Sequence, residues 1–311
     1  MLHDCISQGV PVPPDMAAEF RDSSSDVTDP AALQQRMEAD GYLFFRGVLS
    51  REQVLAARRE VFGRLAGVGE IREPAIEGIA TGTSDRLERE PDLLRFWKSV
   101  SEGPALRRVT HGDELRRVAG HYFGKPAMPH DYMFLRAAAF GQSTNLHYDF
   151  PFFAGGSQNI VTVWVPFGDI PICDGPLMIV EGSHRFDDLV QPMKDAMRNP
   201  NTDFAAIQQA AYMRSTSENV KLLRERQTRI LTKNFNAGDV IFFSMFTMHG
   251  SLDNHSPAGR VRLSVDVRYQ PAADPHEDPR FFGPNPTGAK GGSYGEMKAA
   301  QPLTTPWVSR Q

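Results

Sequence analysis

In "TNLHYDFPFF", residues 144–153, a histidine and a carboxylate stand two apart, His147 and Asp149, with Leu146, Tyr148 and Phe150 around them. In an extended chain, positions i and i+2 share a face. A strand here would project the imidazole and the carboxylate together and turn the three apolar side chains the other way. Such a pair is either a surface ion pair or two ligands of one metal. A third ligand is offered by "IFFSMFTMHGSLDN": Gly238-Asp239 make a turn, a strand follows, and His249 comes just after it. Two histidines and one carboxylate form the facial ligand set of non-haem Fe(II) oxygenases. Three protein ligands leave positions for a bidentate 2-oxo acid and for dioxygen, and a fourth would obstruct them.

The cosubstrate 2-oxoglutarate carries a second, remote carboxylate. A planar, permanently charged guanidinium can hold it through two parallel hydrogen bonds. "GRVRLSVDVRYQP", shortly after His249, supplies the candidates. Alternation puts Arg260, Arg262, Ser264, Asp266 and Arg268 on one face and Val261, Leu263, Val265, Val267 and Tyr269 on the other. Charges on one face of a core strand need solvent or a buried anion.

These residues need a scaffold. From about residue 130, "HDYMFLRAAAF", "NIVTVWVPF", "PLMIV", "DVIFFSM" and "RVRLSVDVRY" are short and rich in β-branched and aromatic residues, with turns at "AGGS", "CDGP", "EGSH" and "NAGD". Many short strands of this kind predict a sandwich or jelly roll. Before them the chain reads as mainly helical. Asp29 caps a helix that has Pro30 at its first position and Gly41 as its stop. Ser50 and Gln53 form a capping-box pattern for the next helix, whose buried face holds Val54, Arg58, Phe62 and Leu65. Residues 84–121 read as helices with arginine-rich solvent faces. The expected organisation is one domain over 1–311, with a mainly helical N-terminal region (1–129), a β-core (130–270) and a loop-rich tail (271–311). Residues 187–229 are a polar, partly helical insertion. Met193, Met197, Phe204, Ile207, Tyr212 and Met213 give it an apolar side. That side predicts a lid over the site, or else packing on the core or a homodimer contact.

The 311 residues, 41% hydrophobic and 23% charged, with a net charge of -4, are those of a globular protein. With a pI of about 6.1 and no basic block, nucleic acid is not an expected partner. No apolar run reaches the length of a membrane span, and the N-terminus lacks the pattern of a secretory signal. Two distant cysteines, Cys5 and Cys173, fit a reduced, cytoplasmic protein and exclude a cysteine-rich zinc site.

The order of these segments resembles the phytanoyl-CoA dioxygenase family of Fe(II)/2-oxoglutarate oxygenases. The resemblance is carried by "DGYLFFRGVLSREQV" from residue 40, "HYD" at 147–149, "VTVWVPFGDI" at 161–170, "GPLMIVEGSH" at 175–184, "AGDVIFFSMFTMHGSLDN" at 237–254 and "RLSVDVRY" at 262–269. It implies a double-stranded β-helix core, with iron on His147, Asp149 and His249 and a downstream arginine on 2-oxoglutarate. Counting from the distal histidine selects Arg260. Counting back from "VRY", and the Arg-x-Ser pattern with Ser264, selects Arg262, which is preferred. The resemblance also places Trp164 and Thr162 toward the cosubstrate, with Thr144 and Ser251 as further candidates, and gives His184 a structural role. Arg268 is assigned to internal pairing near Asp266. The implied activity is oxidation, by default hydroxylation, of a small-molecule metabolite with release of succinate and CO2. Desaturation or ring formation would use the same residues. A halogenase would need Asp149 replaced by a small residue, and a non-catalytic metabolite-binding protein would not turn over 2-oxoglutarate.

Overall fold

The computed structural model describes residues 2, 4–153, 156–198 and 218–306. Helix α1 (Pro30–Asp40) begins as the sequence dictates: the Asp29 carboxylate accepts a hydrogen bond from the Ala32 amide, and Gly41 ends the helix at φ 78°. Leu33 and Met37 are its buried side. Helix α2 (Arg51–Gly67) is capped by Ser50, whose hydroxyl accepts from the Gln53 amide. The reciprocal half of the box is not made by Gln53. The Ser50 amide donates instead to Glu114 Oε2 at 2.9 Å, which ties this cap to helix α6 (Asp113–Phe123). Between them lie α3 (Arg86–Arg89), α4 (Leu93–Ser101) and α5 (Pro104–Thr110). Arg58, the polar member of the buried α2 face, caps carbonyls: it donates to Ile76 O, Phe167 O and Glu77 O.

Two sheets carry the rest. The larger is fully antiparallel, in the order β4 (Tyr42–Phe45), β9 (Val240–Ser244), β6 (Val161–Pro166), β11 (Arg262–Pro271), β5 (Ala127–Ala138). The smaller has the order β10 (His249–Ser251), β7 (Leu177–Val180), β8 (Ile230–Leu231), β3 (Ala17–Ala18). Strands β1 (Ile6–Ser7) and β2 (Val10–Pro11) form a separate hairpin. The N-terminal region is mainly helical, with a strand in "YLFFRGVL". It gives β4 to the edge of the larger sheet and β3 to the edge of the smaller one. An aromatic and aliphatic cluster joins the two sheets: Tyr42, Phe44, Trp164, Ile241 and Phe243 from the larger, Leu177, Ile179 and Leu231 from the smaller.

On β11 the predicted alternation holds, and both faces are buried. Leu263, Val265, Val267 and Tyr269 join the main core, while Arg262, Ser264, Asp266 and Arg268 are buried polar residues. Cross-strand partners share a face. Trp164 stands opposite Asp266, Thr162 opposite Arg268, and Phe134 opposite Asp266 on the other side.

The 187–229 segment contributes α8 (Asp187–Arg198) and α9 (Asn219–Arg226). Phe204, Ile207, Tyr212 and Met213 lie outside the described residues. No described helix is long and apolar enough to cross a membrane.

Candidate active site

The "HYD" segment is not a strand. It makes a single bridge, His147 to His249, in which each amide donates to the other's carbonyl at 2.9 and 3.0 Å. A one-turn helix, α7 (Phe150–Phe153), follows at once. The expected separation of faces survives without the strand. Leu146, Tyr148 and Phe150 are buried in the core, and Tyr148 donates its hydroxyl to Ser183 O. Gly250 permits the bridge, because a Cβ there would lie 2.6 Å from Thr144 O.

One ligand atom each from His147, Asp149 and His249 comes within 4.8 Å of the others. His147 Nε2 lies 3.6 Å and His249 Nε2 3.9 Å from Asp149 Oδ1. The other ring nitrogens are taken: His147 Nδ1 donates to Asn145 O and His249 Nδ1 to Thr247 O. Carbonyl acceptors require a proton on each Nδ1, so each Nε2 presents a lone pair to the common centre. His249 Nε2 is buried and has no hydrogen-bond partner among the described residues. A buried acceptor left unsatisfied is costly, and a cation between the three ligand atoms satisfies it. The set fits a metal that takes imidazole and carboxylate in a facial triad.

The carboxylate is itself held from behind. Asp149 Oδ2 accepts from Thr162 Oγ1 at 2.5 Å and from Arg268 Nη2 at 2.7 Å. Burial alone would push this carboxyl up. Arg268, the two histidines and the Thr162 hydroxyl override it and hold Asp149 well below the usual carboxylate range. His147 is driven the other way, down to about 3, by burial and then by its neighbour His249. Both rings are neutral at physiological pH, as ligation requires.

Arg262, Trp164, Thr144 and Ser251 line a narrow pocket with His147 and His249. Arg262 is buried. It donates to Ser264 Oγ at 2.6 Å and approaches Ser251 Oγ at 3.5 Å, and its Nε has no partner among the described residues. It forms no ion pair with a described carboxylate. Burial, then Arg136, lower its pKa to about 10, so it stays charged at neutral pH. Thr144 Oγ1 is likewise buried without a partner among the described residues. Arg260 stands apart: it precedes β11 and pairs with Asp174 at 3.0 Å. Thr162 belongs to the carboxylate and not to this pocket.

A second space, of about 190 Å³, is also lined by His147, and by Asp149. Phe134, Phe152 and Phe153 form one side of it, and the C-terminal stretch from Ala289 to Ala299 forms the other. No described residue of 187–229 lines it. The sequence reading missed two contributors, Arg268 and this tail. Alternation had put Arg268 on the face of Arg262, six residues on. Only the register, which sets it opposite Thr162, shows that it reaches Asp149. The tail's Gly and Pro content reads as loop, and loop it is. Its role comes from where it packs.

Comparison with known proteins identifies the family. The profile of the family described as phytanoyl-CoA dioxygenase (PhyH) matches residues 37–262. The chain is 25% identical over 300 residues to the 1-deoxypentalenic acid 11-beta-hydroxylase of Streptomyces arenae, covering 91% of this chain and 95% of that protein. It is 25% identical over 290 residues to the ectoine dioxygenase of Bordetella parapertussis, covering 86% and 84%. The fold is similar to that of EctD from S. alaskensis in its apoform, with a TM-score of 0.51 at 17% identity over 91% of this chain and 95% of that one. The chain belongs to the phytanoyl-CoA dioxygenase family and is an Fe(II)- and 2-oxoglutarate-dependent dioxygenase.

Proposed function

We propose that His147 Nε2, Asp149 Oδ1 and His249 Nε2 hold the iron and that Arg262 holds the remote carboxylate of 2-oxoglutarate. The net reaction is hydroxylation of a small molecule: R–H, O2 and 2-oxoglutarate give R–OH, succinate and CO2. In this reading the two sheets are the walls of a double-stranded β-helix within one oxygenase domain. The observation that carries it is the convergence of two lone pairs and one carboxylate oxygen beside a buried guanidinium that forms no ion pair with a described carboxylate.

The iron supplies the activation of dioxygen, and the chain's residues do the rest. Asn145 and Thr247 carbonyls fix the histidine tautomers. Thr162 and Arg268 occupy Oδ2, so Asp149 would offer a bound iron only Oδ1. Arg262 gives charge-assisted hydrogen bonds to the cosubstrate, with Trp164, Thr144 and Ser251 as the walls that orient it. Asp149 speaks against halogenation. Hydroxylation of a small molecule is also what the name of one curated relative, the 1-deoxypentalenic acid 11-beta-hydroxylase, describes.

The test has two readouts. Calorimetric titration with Fe(II) or Ni(II) should show one site in the wild type and none in His249→Ala, with both proteins folded. Succinate should form from 2-oxoglutarate only with Fe(II) present, and 18O2 should label the organic product. Full turnover after exhaustive chelation would sink the iron assignment. An unlabelled product would replace hydroxylation by desaturation or ring closure.

A further inference from the structure

The cavity beside His147 and Asp149 is asymmetric in chemistry. Its deep walls are apolar: Phe134, Phe152 and Phe153 face Met297 and Ala299. Its ionisable lining is mostly basic, with Arg136, Arg268, Lys290 and Lys298 against Asp149 and Glu296.

The two carboxylates are committed. Asp149 takes Arg268 at 2.7 Å. Glu296 Oε1 accepts from the Tyr132 hydroxyl, and its Oε2 accepts from the Lys290 and Gly292 amides, so this acid serves the folding of the tail. Arg136 is paired with Asp266 at 2.6 Å. Lys290 and Lys298 stand at the outer edge, where both are exposed. Arg136, Lys290 and Lys298 all line this space, and partial burial, then Arg136 and Lys290, lower the pKa of Lys298. An apolar chamber with a cationic rim is the complement of an amphiphile bearing negative charge.

We propose that this cavity is the substrate site and that it takes a small amphiphile, with its apolar body against Phe134, Phe152, Phe153 and Met297 and an anionic group, carboxylate or phosphate, at Lys290 and Lys298. The proposal rests on the assignment of His147 and Asp149 to the iron, since that puts the carbon to be oxidised at the deep end of the cavity and the charge at its mouth. Anchoring one end of a flexible molecule fixes which carbon is presented, so the two lysines act as selectivity residues.

The experiment uses three probes of equal chain length, octanoate, octanol and octyltrimethylammonium, with octyl phosphate as a second anion. Binding to the metal-free full chain is measured by calorimetry. Wild type should bind octanoate or octyl phosphate at least about tenfold more tightly than octanol, a difference of about 1.4 kcal/mol. The ammonium should bind weakest. Whichever anion binds more tightly identifies the headgroup. Lys290→Ala/Lys298→Ala, a change at two exposed positions, should bring the anion within about threefold of octanol and leave octanol unchanged. The gap should also narrow as salt is raised. Equal binding of octanoate, octyl phosphate and octanol by the wild type, tightest binding of the ammonium, or an unchanged preference in the double variant would each overturn the proposal. The probes are read without metal and the iron assignment by metal titration, so the failure of one is distinguishable from the failure of the other.

Discussion

The two walls around the proposed iron ligands are built in opposite ways. The inner wall is strand: His249 and Ser251 on β10, Trp164 and Thr162 on β6, Arg262 and Arg268 on β11. Each is fixed by ladder hydrogen bonds on its own strand and by neighbours across it. The outer wall, from Gly288 to Ala300, is coil with two short 3-10 turns. It is held at a few points from outside: Tyr132 on Ser293 O and Glu296, Arg107 on Tyr294, and Arg86 on the carbonyls of Ala299, Ala300 and Gln301. Arg86 is fully buried, paired with Glu70, and stacked on Phe96 and Trp97. Metal and cosubstrate chemistry tolerates little positional error, which suits regular structure. Selection of a substrate needs only a surface that stays in place, and one buried guanidinium acting on three carbonyls supplies it.

The largest expected effect tests that anchor. Arg86→Met strands the Glu70 carboxylate in the core and releases three carbonyls, at a cost of about 3–5 kcal/mol. The midpoint of urea unfolding should fall accordingly, and Glu70→Gln/Arg86→Met should recover some of the loss. In the folded fraction, proteolysis should concentrate between residues 288 and 300 while Ni(II) affinity holds. Metal affinity that falls as far as stability would mean that the walls are one unit.

Next in size is Arg262→Ala, which would remove the proposed charge-assisted pair with 2-oxoglutarate, worth about 2–5 kcal/mol. The KM for 2-oxoglutarate should rise by roughly 30-fold or more. Arg260→Ala should change it by less than about threefold, because that side chain is spent on Asp174. The opposite ranking would move the cosubstrate anchor out of the inner wall.

The effect that is smallest at neutral pH, and that grows only in acid, is that of His130. His130 is buried between Phe153, Phe281 and Phe282, and burial lowers its pKa to about 3. Folded His130 is neutral while the unfolded residue titrates near 6.5. Its contribution is complete above pH 6.5 and is lost as the pH falls toward 3, by up to about 1.4 kcal/mol per unit. His130→Gln should flatten the stability profile in that window. An unchanged slope would assign the acid sensitivity to other groups.

The inner wall was legible because its elements repeat. Alternation on β11 sorts Arg262 from Leu263 without any knowledge of the fold, and the caps of α1 and α2 follow from Asp29, Pro30 and Ser50. The extended reading of His147 and Asp149 erred in detail: Phe150–Phe153 turns into a helix, and it was the His147 bridge to His249 that kept the two ligands together. The outer wall was not legible. Its turns are marked by glycine and proline, but nothing local says that Ala299 will meet an arginine 213 residues earlier. For the same reason residues 187–229, the only long insertion among the core strands, drew the role of cover. Among the described residues, the tail lines the cavity.

The grip of Arg268 on Asp149 has a consequence for redesign. An Asp149→Gly exchange, meant to open a position for chloride, would leave a buried guanidinium between Phe134 and Phe153 with its ion-pair partner removed. Such a vacancy favours any small anion that can reach it, and without one the fold bears the cost of a buried cation that has lost its ion pair. Changing the ligand set of this protein is therefore a two-position problem, with Arg268 as the second position.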